Sequence, residues 1–268
     1  MQRIEDLGPP MLAAEDQQLS LTDPDARAMK GRGGNIVAYN VQTAVEPTHH
    51  LIVAHEVITT GSDRDQLANM AKQAREAMGT EALAALADRG YYKCEEILAC
   101  EQAGITTYLP RSETSGNQAK GLFGERDFRY LPGKDVYQCP AGEYLPRRTK
   151  MHERGQVCHR YWSSHCRECV LKARCTTGKE RRVSRWEHET VLDAAQARRD
   201  RQPKAMLLRR QTVEHPFGTM KTWMGYSHLL TKTLPRVRTE MSLQVLAYNL
   251  KRVINILGVG ALLEAVRA

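Results

Sequence analysis

The sequence has no apolar run approaching the ~20 residues that a membrane-spanning helix needs. Its first ten residues carry acids and no apolar core, which excludes a secretory signal there. Internal repeats and low-complexity tracts are absent as well, which excludes solenoids and disordered tethers. These absences give a cytoplasmic location, with no membrane partner, as the expectation. Seven cysteines would then be thiols rather than disulfides.

What is present is ordinary in amount and uneven in placement. The 268 residues are 41% hydrophobic and 26% charged, enough for one or two domains with a real core. The net charge is +8, but residues 146–238 hold 22 Lys and Arg against 8 Asp and Glu. That block is +14, and the remainder of the chain is −6. A basic block beside an acidic remainder points to a polyanion, most simply nucleic acid.

Periodicity gives the organisation. Residues 1–16 read as a mobile lead-in. A short strand is expected over 18–22, ended by the turn signal Asp23-Pro24-Asp25. A loop follows to Gly34, then alternation over 38–45 and a second strand over 51–58 form an antiparallel hairpin. Ser62 and Asp65 resemble a capping box. The helix after them carries Leu67, Met70, Ala71, Ala74 and Met78 on one face. A strand over 82–87, a helix over 93–103 and a strand over 105–109 complete the region. Residues 110–185 read as basic loops with cysteines. A terminal helix is expected over 239–257, with Leu243, Leu246, Leu250, Val253 and Leu257 inward and Gly258 as its stop.

Two segments carry candidate chemistry. Arg210, Glu214 and Lys221 fall within a ~40° arc of one helical face. A carboxylate between two cations suits a site handling a metal ion and a phosphate, or equally a solvated ion pair. Pro216 is expected to kink this helix. Asp88 follows an apolar run and precedes Gly90, as at the end of a strand, where it serves as a turn residue or a site residue. Separately, Cys139, Cys166, Cys169 and Cys175 lie in the loop-rich region, where one tetrahedral zinc ion would act as a staple. Cys158, His152, His159 and His165 are rival ligands. Cys94 and Cys100 read as packed residues on a short helix.

Several of these stretches together resemble a known family. Ser20-Leu21-Thr22-Asp23-Pro24-Asp25-Ala26-Arg27, Tyr39-Asn40-Val41-Gln42-Thr43-Ala44-Val45 and Ala87-Asp88-Arg89-Gly90-Tyr91-Tyr92 belong to the match. So do Tyr137-Gln138-Cys139-Pro140, the run from Val213 to Lys221, and Ala247-Tyr248-Asn249-Leu250-Lys251-Arg252. They resemble the DDE transposases of bacterial insertion sequences. The resemblance implies an α/β fold, an RNase H-like mixed sheet with an irregular, zinc-ribbon-like insertion and C-terminal helices. It implies a first part of that domain over 17–110, a basic cysteine-containing insertion over 111–190, and a helical completion over 191–268.

The implied activity is DNA strand cleavage and transfer with two divalent ions, Mg²⁺ or Mn²⁺, held by Asp23, Asp88 and Glu214. Arg210 and Lys221 match basic, DNA-contacting positions, and Leu207 stands where the family pattern has tyrosine. Asp25 and Glu46 are the next candidates for the first carboxylate. The implied partners are insertion-sequence DNA ends and further copies of the same chain. Relatives carry N-terminal DNA-binding helices, so the chain reads as a C-terminal, catalytic part. A non-catalytic DNA-binding remnant is the alternative, and a plain zinc-ribbon binder a third reading.

Overall fold

The computed structural model describes residues 8–9, 11–12, 18–31, 33–112, 116–153 and 155–267. The expected mobile lead-in falls largely outside them. The chain divides into two compact units, Met1–Pro110 with Ala195–Ala268, and Arg111–Ala194.

The first unit is mixed α/β. Strands β1 (Arg27–Gly31) and β2 (Gly34–Ala38) form a tight antiparallel hairpin where a loop was expected. Gly34, at a positive φ of 126°, makes the turn possible. The expected second hairpin is present as β3 (Asn40–Val45) paired antiparallel with β4 (Ile52–Ile58). Helix α1 (Leu67–Ala77) buries Leu67, Ala68, Met70, Ala71 and Ala74, the alanines permitting close approach to β4. Met78 stays exposed, and the expected capping box does not form. Instead Glu96 reaches across and accepts a 2.8 Å hydrogen bond from the Ala68 N–H, and Asp65 pairs with Lys93. Strand β5 (Leu83–Leu86), helix α2 (Cys94–Gln102) and strand β6 (Ile105–Tyr108) make a β-α-β unit with a parallel pair.

A single mixed sheet is not joined among the described residues, because β3–β4 and β5–β6 remain separate ladders. Residues 18–22, expected as a strand, form none. Among the described residues, no strand fills the gap between β3 and β5. That gap is a cavity of about 230 Å³ lined by Val41, Thr43, Val45, residues 83–87 and the inward faces of two helices.

Helices α3 (Glu189–Arg201), α4 (Ala205–Gly218) and α5 (Leu234–Arg267) follow. Helix α4 runs through Pro216 to Gly218 and passes into one π-helical turn, Thr219–Trp223. Helix α5 corrects another expectation. Its buried face is Val237, Met241, Val245 and Tyr248, packed with Ile52, Val57 and Met220. Polar bonds fix that rotation. Asn249 exchanges two hydrogen bonds with the Ile52 backbone, at 2.9 and 2.8 Å, and the Tyr248 hydroxyl donates to the His50 carbonyl at 2.7 Å. Gly258, at φ 80°, breaks the helix as expected, and helical turns resume beyond it.

In the second unit, β7 (Arg129–Leu131), β8 (Val136–Gln138), β9 (Tyr144–Glu153), β10 (Gln156–Tyr161) and β11 (Val183–Trp186) form one antiparallel sheet in sequential order. Loops were expected there because β9 and its neighbours carry so many cations that no apolar alternation shows. The sheet rests instead on a few aromatics. Phe128, Tyr137, Leu145, Tyr161 and Val183 form its core. The Asp135 carboxylate accepts from both Tyr130 and Tyr161, at 2.9 and 2.7 Å. Arg185 lies 3.8 Å over the Tyr130 ring and pairs with Asp193.

Candidate active site

Asp88 stands just past the carboxyl end of β5, on the loop that leads into α2. Its Oδ1 accepts from the Gly90 N–H at 2.8 Å, so the sequence Asp88-Arg89-Gly90 closes on itself as a turn. Its Oδ2 accepts from Arg209 Nη2 at 2.7 Å. A second carboxylate lies beside it, one the sequence did not single out. A Cβ placed on Gly90 would be 2.9 Å from Asp88 Oδ1 and 3.3 Å from Asp63 Oδ2, so those oxygens are at most about 6 Å apart. Asp63 is held by amide donors from Asn40 and the buried Gln42, each at 2.7 Å. Gln42 in turn accepts from the Tyr91 hydroxyl. The only advance signal was a strand glutamine, a polar residue at a position that pairing buries.

Glu214 is on α4, and Arg210 one turn earlier donates to it at 3.2 Å. Both are well exposed, Glu214 at 63%, so this ion pair contributes little to stability. The inward face of the same helix carries Arg209, Val213 and Phe217, spaced by four. Five residues separate Glu214 from Arg209, which turns it ~140° around the axis from the residue holding Asp88. Lys221 lies in the π turn and lines a different cavity, of about 820 Å³, with Asp23, Tyr39 and His228.

Asp23 is buried at 8% exposure, and both its oxygens are taken. Tyr39 donates to it at 2.8 Å, and the backbone N–H groups of Asp25 and Thr233 at 3.2 Å. Asp25 accepts from the Leu234 N–H at 2.8 Å. Together they cap the start of α5, where orphan N–H groups and the helix dipole favour anions. Burial alone would raise the Asp23 pKa, but these hydrogen bonds outweigh it and hold the group below the ordinary carboxylate value. A lowered native pKa adds stability above the unfolded value and loses it as pH falls below about 3.8. Asp23→Ala is therefore expected to cost about 1–2 kcal/mol at neutral pH, with the gap to wild type narrowing in acid. Thermal melts across pH check this. An unchanged melting temperature at pH 7 would show that the cap contributes nothing.

Glu46 is likewise committed, its oxygens accepting from the Thr48, His49 and Leu51 N–H groups. The structure thus places Asp23, Asp88 and Glu214 in the same unit without a shared partner or cavity. Among the described residues, no three His, Cys, Asp or Glu side chains are grouped as a metal site.

The four expected zinc ligands are not grouped as a metal site either, although they border one cavity. Cys139 follows β8 in a turn closed by Gly142, Cys166 lies in a short 3₁₀ turn with Cys169 just after it, and Cys175 ends a single helical turn. All four line one cavity of about 20 Å³, room for a single water-sized occupant. Burial raises the Cys175 pKa, Arg181 opposes this, and Cys166, Cys139 and Cys169 raise it further. The rival ligands do not line that cavity. Cys158 is buried in β10, and His165 pairs with Glu143.

Residues 138–254 match a family model described as a transposase DDE domain. Over that span the chain is similar to transposase DDE domains. The match takes in Glu214, Arg210, Lys221 and the four cysteines of the small cavity, whereas Asp23 and Asp88 precede it. No curated protein and no solved structure matches the chain significantly. The resemblance first drawn from short motifs thus holds for the transposase domain as a family.

Proposed function

We propose that this chain is the catalytic region of a DDE transposase, cutting and joining DNA at the ends of an insertion sequence in the cytoplasm, as a homo-oligomer. The observation that carries the reading is the transposase DDE match around Glu214, with its Arg210 and Lys221. Asp88 at the carboxyl end of a parallel strand supports it, because loops there commonly carry chemistry. Divalent ions, Mg²⁺ or Mn²⁺, would supply the Lewis acid for phosphoryl transfer.

The chain's own residues have two tasks in this reading. The guanidinium groups of Arg209 and Arg210 now hold Asp88 and Glu214. A DNA phosphate is a competing bidentate acceptor for each, so backbone binding would release the carboxylates. Two residues compete for the third position, Asp23 by family resemblance and Asp63 by its place beside Asp88. The four thiolates around the small cavity would hold a structural zinc ion, consistent with the donor set that line it.

The basic segment 146–238 should bind DNA with little sequence preference. Each phosphate contacted adds about −0.9 to the log–log slope of affinity against salt. Filter binding or anisotropy on random duplexes at rising salt measures it, and a flat response would refute the claim. A strand-cleavage assay on insertion-end DNA with Mg²⁺ or Mn²⁺ tests the enzyme itself. Binding without any cleavage would leave the non-catalytic remnant.

A further inference from the structure

Helix α5 presents a polar face beside the π turn that follows α4. Tyr248, Lys251, Arg252 and Asn255 recur at three- and four-residue spacing, as one side of a helix. The leucines expected inward, Leu243, Leu246, Leu250 and Leu257, stay exposed elsewhere on it. This polar face, with Thr219 and Trp223 of the π turn, lines a cavity of about 270 Å³. His215 completes the lining, its Nδ1 2.9 Å from the Tyr248 hydroxyl.

Three features give this cavity a chemistry. Trp223 lines it yet is 78% exposed, so packing uses little of the indole surface. Lys251 and Arg252 line it, and no carboxylate does. Arg252 is oriented by Nε and Nη2, which donate to the His49 carbonyl at 2.9 and 2.7 Å and leave Nη1 for another acceptor. The volume lies near the lower bound of small-ligand sites, about 300 Å³. An aromatic platform beside cations suits an unstacked base and its phosphate.

We propose that this cavity takes one nucleotide of a single DNA strand, with its base stacked on Trp223 and its phosphate on Lys251 and Arg252. Its place selects a strand over a free nucleotide. Trp223 is two residues past Lys221, and His215 adjoins Glu214. The cavity therefore borders the face on which the proposed reaction places DNA. The inference rests on DNA as the substrate and not on cleavage. By length and composition α5 could also cross a membrane. That would strip Tyr248 from the core and place Lys251 and Arg252 near mid-bilayer.

Anisotropy with a labelled oligothymidylate of about 12 nucleotides, beside a duplex of equal length, tests the site. Trp223→Ala should bind the single strand about 10-fold more weakly, with duplex affinity changed less than about twofold. The exposure of Trp223 leaves the fold intact in this variant. Trp223→Phe should keep most of the affinity but lose the quenching of tryptophan emission that wild type shows on binding. Lys251→Ala should lower the single-strand salt slope by about 0.7. Four results would overturn the proposal. They are a Trp223→Ala variant that binds the strand as wild type does, equal losses for strand and duplex, wild-type emission unquenched on binding, and thymidine monophosphate binding more tightly than the oligonucleotide. If neither DNA form binds, the transposase reading falls as well. Duplex binding with an indifferent Trp223 removes this site alone.

Discussion

Asp88→Asn and Glu214→Gln are each expected to reduce metal-dependent strand cleavage by about 10³-fold or more while leaving DNA binding nearly unchanged. Each substitution keeps size and removes charge. Asp88 donates nothing to the core, since it closes a surface turn and accepts from Arg209. Glu214 is exposed and paired only with Arg210. Their loss should therefore leave the fold intact, and any fall in activity would belong to the reaction. The companion variants are Asp23→Asn and Asp63→Asn. If Asp63→Asn alone abolishes cleavage at unchanged melting temperature, the third carboxylate is Asp63. If Asp23→Asn does so with a normal melt, it is Asp23, and the cap on α5 is secondary. Full activity in Glu214→Gln would remove the assignment altogether.

The second large effect concerns the four cysteines. One zinc ion per chain is expected on elemental analysis, and Cys166→Ser or Cys169→Ser should lose it. A structural four-thiolate zinc contributes on the order of 10 kcal/mol in small zinc-binding peptides. The Arg111–Ala194 unit has a small aromatic core and many cations, so it has little to replace that. Chelation should therefore lower its melting temperature and open the 139–176 turns to proteolysis. A zinc-free protein with four freely reactive thiols, and the same melt with and without chelator, would sink the idea.

The helices and the strand ladders differ in how far local sequence could reveal them. The sequence by itself determined the elements whose periodicity is local. The β3–β4 hairpin followed from alternation, α1 from its Leu67-Met70-Ala71-Ala74 face, the β5-α2-β6 order from short apolar runs between turn signals, and the break at Gly258 from its lack of a Cβ. The place of Asp88 at a strand end was legible from the apolar run before it and Gly90 after it. The five strands of the second unit were not legible, because cations on their exposed face mask the two-residue period.

Only the tertiary structure decided which face of α5 turns inward. Both of its apolar stripes have helical spacing, and the choice fell to Asn249 and Tyr248 bonding β4 and the His50 carbonyl. Tertiary structure likewise brought Asp63 next to Asp88, 25 residues away in sequence, through Gln42 and Asn40 on a neighbouring strand. It turned Asp23 from a free turn residue into the cap of a helix that begins 211 residues later. In each case a long-range hydrogen bond made the choice, and such bonds leave no period in the sequence.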